Sequence, residues 1–306
     1  MTALSLVSDA QVTLGDAIDA YLDSLAPVSP LTTRKQYGSI LGRLSAALGD
    51  RDVADVTGKD LAAWLTAGFA DRSPATWNLS RVAVRSAWAY FTACGWADAS
   101  VAASLPRRKV AEDRDRAIPG DVLARLLADQ SVPLRERTLW RMMLETAARE
   151  SEVLRLNAED LDLPGHRAKV RRKGGDLSVI VWLSGTAILL PRLLKGRRTG
   201  PVFTTSNAAK TGVARADVAA DGSGRLSARQ AQAIFRDATA GFPGGPWTLH
   251  GIRHRALTDA AEQGASTAML MALSGHRNVR SLAIYARVGA DALAAWQAER
   301  DPARRR

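Results

Sequence analysis

The sequence predicts a mainly α-helical protein with a small β-hairpin or sheet, arranged as two domains. Three observations predict this. The chain has 306 residues, more than one domain of ordinary size needs. Apolar residues recur at helical spacing through most of its length. One stretch breaks that period: Ala168 to Arg171 and Leu177 to Trp182 are short extended runs around Lys173-Gly174-Gly175, which is a hairpin signal. Hydrophobic residues at 46% and charged residues at 24% give a soluble, globular balance with apolar material for two cores.

Helices fill the first hundred residues. Leu14, Ile18, Tyr21 and Leu22 share one helical face. Ser29-Pro30 introduces a longer segment in which Tyr37, Ile40, Leu41 and Leu44 keep the same spacing. Thr57 is placed to cap a third helix, with Asp60 as the acid three residues on. Ser73-Pro74 opens a fourth helix through Trp77, Val82, Val84, Trp88 and Phe91, and Gly95 stops it. Residues 1–105 are read as a helical bundle with its own core. Residues 106–117, PRRKVAEDRDRA, are highly charged with little apolar period and are read as a linker.

Residues 118–306 form the second domain. Pro119 is read at the first position of a helix over 119–130, and another helix follows over 133–148. After the hairpin, helix resumes from Leu183 to Leu194. Thr204 to Gly224 is rich in Ala, Gly, Ser, Thr and Asp and is read as a surface loop. Helices return over 227–240, 249–263, 266–274, 278–287 and 290–300. In the last, Leu293 and Trp296 form a short apolar stripe, read as a docking face.

The formal net charge of +11 favours a polyanionic partner, with DNA first in that class. The single cysteine, Cys94, excludes an intramolecular disulfide and fits a reducing, cytoplasmic setting. The first residues lack the basic segment of a signal peptide, and the longest apolar run, Val179 to Leu190, is interrupted by Ser184, Gly185 and Thr186.

Four clusters hold the chemically unusual residues. They are Thr146-Ala-Ala-Arg149-Glu150-Ser151-Glu152, Arg171-Arg172-Lys173-Gly174-Gly175, His250-Gly-Ile-Arg253-His254, and Ser274-Gly275-His276 with Tyr285 nine residues beyond. Taken singly each has a plain explanation: an ion-paired surface arginine, a solvated hairpin tip, a half-buried core tyrosine. His250 and His254, four apart, have the spacing of a zinc pair. The glutamate that would follow the first histidine in a zinc protease is replaced by Gly251, and no third ligand is evident. No metal and no cofactor are expected.

Together and in this order, Arg149, Lys173, His250, Arg253, His276 and Tyr285 resemble the tyrosine recombinase (phage integrase) family. Its pattern is an arginine in a T-G-x-R-x-S-E stretch, a hairpin lysine, H-x-x-R, then G-H and a tyrosine nine residues later. The resemblance covers nearly the whole chain. It implies a helical core-binding domain that clamps DNA and an α+β catalytic domain. This chain departs in having Ala147 where glycine is usual, Arg172 where glycine commonly precedes the lysine, and a longer 204–224 segment.

The constellation suits phosphodiester transfer. Two guanidiniums, Arg149 and Arg253, can each hold non-bridging oxygens of a phosphate in bidentate fashion. Tyr285 is the expected nucleophile, forming a 3′-phosphotyrosine without metal or ATP. His250 is the better candidate base, and Lys173 is placed to protonate the leaving 5′-oxygen. The resemblance implies that His276 hydrogen-bonds the phosphate. Glu152, three residues after Arg149, shares its face and can orient a catalytic side chain; His254 is expected to pack or support. Arg107, Arg108, Lys109, Arg171 and Arg172 are further candidates for DNA contact. The expected partners are duplex DNA carrying short specific sites and copies of the chain itself, as a tetramer on DNA. Two other readings are a type IB topoisomerase-like relaxing enzyme and a catalytically idle DNA-binding accessory protein.

Overall fold

The computed structural model describes residues 11–27, 29, 31–110, 117–172, 175–209, 212–276, 278–282, 294, 297 and 298. Lys173, Tyr285, Leu293 and Trp296, and most of the helices read over 278–287 and 290–300, lie outside them. The chain divides into two compact units, Met1–Glu112 and Asp113–Arg306.

The first unit is built from α1 (Leu14–Ser24), α2 (Leu31–Leu48), α3 (Gly58–Phe69), α4 (Pro74–Ala93) and the single turn α5 (Ser100–Ala103). Local chemistry sets the helix starts. The Thr57 hydroxyl accepts from the Asp60 N–H at 3.2 Å, and the Asp60 carboxylate accepts from the Thr57 N–H at 2.9 Å. The reciprocal pair satisfies two orphan donors, and such a cap is worth about 1 kcal/mol. Ser73 accepts from the Thr76 N–H at 3.2 Å, with Pro74 at the first helical position, where its missing N–H costs nothing. Leu14, Leu41, Leu44, Leu61, Leu65, Trp88 and Phe91 fill the core that these helices enclose.

The first residues of the 106–117 stretch are tied to this unit. The Trp77 indole donates to the Pro106 carbonyl at 2.9 Å, and Asn78 both donates to and accepts from the Arg108 backbone, at 2.8 and 2.9 Å. The Arg108 guanidinium lies 3.7 Å from the Trp77 ring centroid and donates to the Ala70 carbonyl at 2.7 Å.

The second unit contains α6 (Gly120–Ala128), α7 (Leu134–Thr146), α8 (Glu150–Leu154), β1 (Leu161–Asp162), β2 (Arg167–Arg171), β3 (Leu177–Val181), α9 (Ser184–Leu194), β4 (Thr204–Ala208), β5 (Ser223–Arg225), α10 (Ala228–Thr239), α11 (Leu249–Glu262) and α12 (Thr267–Ser274), then a 3-10 turn at Val279–Leu282. Pro119 stands one place earlier than the sequence reading has it, at the cap rather than the first position of α6. Its core is centred on α7, whose Trp140 meets Phe235 of α10 edge-on at 5.1 Å between centroids.

The hairpin forms in an antiparallel sheet of order β1-β2-β3, with Ala168 opposite Ile180 and Val170 opposite Ser178. Ala168 and Val170 point inward, while Arg167, Lys169 and Arg171 face solvent. The segment read as a surface loop is different from that reading. Its ends, β4 and β5, pair antiparallel as a second sheet. Serine, asparagine and alanine carry little strand preference, so pairing across a long excursion, not local pattern, makes these strands.

Candidate active site

Two left-handed residues shape the site. Ala147 ends α7 with φ 47°, and Gly275 ends α12 with φ 64°. Each turns its chain sharply at a helix C-terminus, where carbonyls lack helical partners and carry partial negative charge. Arg253, on α11, fills the space between those ends. Its Nη1 donates to the Ala147 carbonyl at 2.5 Å and its Nη2 to the Ser274 carbonyl at 2.7 Å. It is only 1% exposed. A buried guanidinium is tolerable here because two helix ends supply acceptors.

Arg149 begins α8. Glu152, itself buried, accepts from the Arg149 N–H at 3.0 Å and from its Nη1 at 2.8 Å. One carboxylate therefore fixes both backbone and guanidinium, and Arg149 keeps part of its surface open to the pocket.

His276 follows the Gly275 turn. Its N–H donates to the Ser274 hydroxyl at 3.2 Å, and its Nε2 lies 3.5 Å from Arg253 Nη2. Burial, then the charges of Arg253, Arg149, His250 and Arg172, push its pKa down to about 4. The imidazole is therefore neutral at physiological pH. On α11, His250 is exposed and His254 buried, with their rings edge-to-face at 4.6 Å between centroids. Among the described residues, no three His, Cys, Asp or Glu side chains converge as a metal-binding group.

Arg149, Arg172, Asp176, Ser178, Gly275 and His276 line a cavity of about 500 Å³. Of the residues singled out in the sequence, Arg149, Arg253 and His276 are brought together directly, and His250 is near enough to act on His276 electrostatically. Arg171 points to solvent. Arg107 and Lys109 are exposed on the first unit, where Arg108 is held against Trp77. Lys173 and Tyr285 lie outside the described residues. Sequence reasoning missed Ser274 and the backbone of Ala147 as supports. The available signal was a usual-glycine position filled by alanine just before Arg149.

The sequence profile described as the phage integrase family matches residues 117–291. Among curated proteins, the tyrosine recombinase XerC of Mycobacterium bovis (strain BCG / Pasteur 1173P2) is 29% identical over 287 residues, covering 89% of this chain and 93% of its own. The tyrosine recombinase XerD of Mycobacterium leprae (strain TN) is 28% identical over 304 residues, covering 90% and 93%. Among solved structures, the Tn1549 transposon integrase in complex with a circular intermediate DNA has TM-score 0.70 at 16% identity, covering 93% of this chain and 99% of that one. The lambda integrase tetramer bound to a Holliday junction has TM-score 0.69 at 20% identity, covering 89% and 80%.

Proposed function

Because the chain belongs to the phage integrase family, we propose that its Arg149–Arg253–His276 pocket receives the scissile phosphate of a DNA strand and that Tyr285 attacks it. The protein is a tyrosine recombinase, an enzyme of site-specific DNA recombination. The observation that carries the residue assignment is a neutral imidazole, His276, that lines one cavity with Arg149 and lies 3.5 Å from the buried Arg253 guanidinium.

The phosphate gains charge as it becomes pentacoordinate. Arg149 and Arg253 stabilise that charge with donors already in place, so little reorganisation is needed at the moment of reaction. His250 takes the phenolic proton of Tyr285. The phenolic oxygen bonds to phosphorus, the bond from phosphorus to the 5′-oxygen breaks, and Lys173 protonates the departing oxygen. A 3′-phosphotyrosine retains the phosphoester, so a 5′-hydroxyl from a second duplex reverses the step and exchanges the strand. His276 donates to the phosphate as a neutral group. Glu152 orients Arg149, and His254 supports His250.

The partners we assign are duplex DNA with short specific sites and three further copies of the chain. The lambda integrase tetramer on a Holliday junction supports that assembly. We assign the enzyme to the cytoplasm, on the nucleoid, where such a substrate lies. We assign residues 1–105 to clamping DNA and residues 118–306 to catalysis, joined through 106–117.

The test is adduct formation on a random-sequence duplex library carrying nicks, which trap the intermediate by letting the short 5′ fragment diffuse away. Wild type is expected to give a denaturant-resistant protein–DNA adduct. Tyr285→Phe is expected to bind the recovered DNA comparably and give none. An adduct from that variant would remove Tyr285 from its role.

A further inference from the structure

Arg172 occupies the hairpin position where the family pattern commonly has glycine, and its side chain packs onto α12. Strand alternation sets its direction. Ala168 and Val170 face inward on β2, so the next residue of that face is Arg172. The turn fixes its backbone: the Arg172 N–H donates to the Asp176 carbonyl at 2.8 Å, and its carbonyl accepts from the Gly175 N–H at 3.0 Å. The side chain crosses to α12, where Nη2 donates to the Ala272 carbonyl at 3.3 Å. There the guanidinium lies on Gly275, and a Cβ at that residue would occupy the space of Nη1.

The other two nitrogens are unusual. Nε and Nη1 are buried and find no hydrogen-bond partner among the described residues. Arg172 is among the residues that line the cavity with Arg149 and His276. The Glu152 carboxylate is already held by Arg149. Burial, together with the Arg149 charge, pulls the Arg172 pKa below its ordinary range, while Glu152 opposes them. Buried donors without acceptors, next to a second guanidinium, are costly unless an anion arrives.

We propose that Arg172 is a further phosphate-binding residue of this site, gripping the same phosphate as Arg149 through the edge that carries Nε and Nη2. This rests on the reading of the pocket as the scissile-phosphate site. The contact to Ala272 holds the guanidinium near the helix end until a phosphate supplies the missing acceptors. The fork of an arginine suits this role, since the Nε–H and one Nη2–H point the same way and can meet one anion in parallel once Nη2 leaves the Ala272 carbonyl.

The test uses inorganic phosphate as the probe with the full chain, read by 31P line broadening, so no DNA step is involved. Arg172→Gln is expected to weaken phosphate binding at least tenfold. Lys169→Gln removes one charge from the outward face of the same strand and is expected to leave binding within twofold. Arg172→Lys keeps charge and stem but loses the fork; it is expected to weaken binding at least threefold, and it carries the test if the glutamine variant fails to fold. Three results would overturn the proposal: no phosphate binding by wild type, unchanged binding in Arg172→Gln or in a folded Arg172→Lys, or equal losses in Arg172→Gln and Lys169→Gln. The library experiment reports separately on strand transfer, so failure of that reading is distinguishable from failure of this one.

Discussion

The floor and the rim of the pocket treat their guanidiniums in opposite ways. On the floor, Arg253 is 1% exposed and donates to carbonyls at the ends of α7 and α12. On the rim, Arg172 is partly buried with two nitrogens that find no partner among the described residues, and Arg149 is shared between Glu152 and the open cavity. The floor is organised by the protein's own backbone. The rim keeps donors that we assign to an anion. Guanidinium charge is thus held in two forms: one that also stabilises the fold, and one that, on the proposed reading, stabilises only the bound state.

The largest effect should come from the floor. In Arg253→Met the carbonyls of Ala147 and Ser274 lose their donor in a site sealed from water. An unsatisfied buried group costs about 1–3 kcal/mol, so two predict a loss of about 3 kcal/mol or more, together with loss of cleavage. Urea unfolding and adduct yield would check both. A variant of wild-type stability would mean that the floor is not structural.

Arg149→Lys should separate the two properties. Lysine keeps the charge but not the fork, and cleavage should fall at least ~100-fold, the scale of losing one transition-state donor. The ion pair with Glu152 is partly exposed on the arginine side, so stability should change by less than ~1 kcal/mol. Single-turnover cleavage beside urea unfolding measures the split. A large stability loss would place Arg149 with the floor.

His276 lies between floor and rim, and its acid titration senses both. Its folded pKa of about 4 is below the ordinary value of 6.5. Between those values the unfolded chain binds more protons, so stability rises with pH. The contribution is fully present above 6.5 and is lost as pH falls toward 4. Comparing unfolding midpoints at about pH 7.5 and 4.5, wild type should lose more stability than His276→Gln. Parallel losses would show that the imidazole is not held neutral by its surroundings.

What could be read in the sequence follows from how local each signal is. Thr57 with Asp60, and Ser73 with Pro74, declare helix starts within four residues, and the hairpin declares itself by its glycines. The pairing of β4 with β5 depends on residues far apart in the chain, so its composition reads as loop. The residues proposed for catalysis stand in the sequence as local motifs, but the fate of each side chain does not show there. Arg172 is held against Gly275 and Ala272, the latter 100 residues away. Arg253 is satisfied by carbonyls 106 and 21 residues distant. Residue type announced the chemistry; only tertiary packing divides the arginines between floor and rim.

Ala147→Gly is expected to have the smallest effect, because opposing contributions meet there. Ala147 holds φ 47°, a conformation that costs an L-residue about 1–2 kcal/mol, and glycine would relieve it. Against this, the buried Ala147 methyl packs in a cluster with Ala256, Leu257, Leu270 and Leu282, and burial of one such group is worth about 0.8 kcal/mol. Glycine also gives the unfolded chain more freedom, a further loss of about 0.4–1 kcal/mol. The sum is near zero, so the urea midpoint should move by less than the equivalent of ~1 kcal/mol. Ala147→Val calibrates the measurement, because a β-branched side chain fits this backbone far worse than alanine. It should destabilise by more than ~2 kcal/mol, combining strain with overpacking. If glycine instead stabilised the chain by ~2 kcal/mol or more, the methyl would contribute no packing, and the carbonyl that receives Arg253 would be held in place at the expense of real backbone strain.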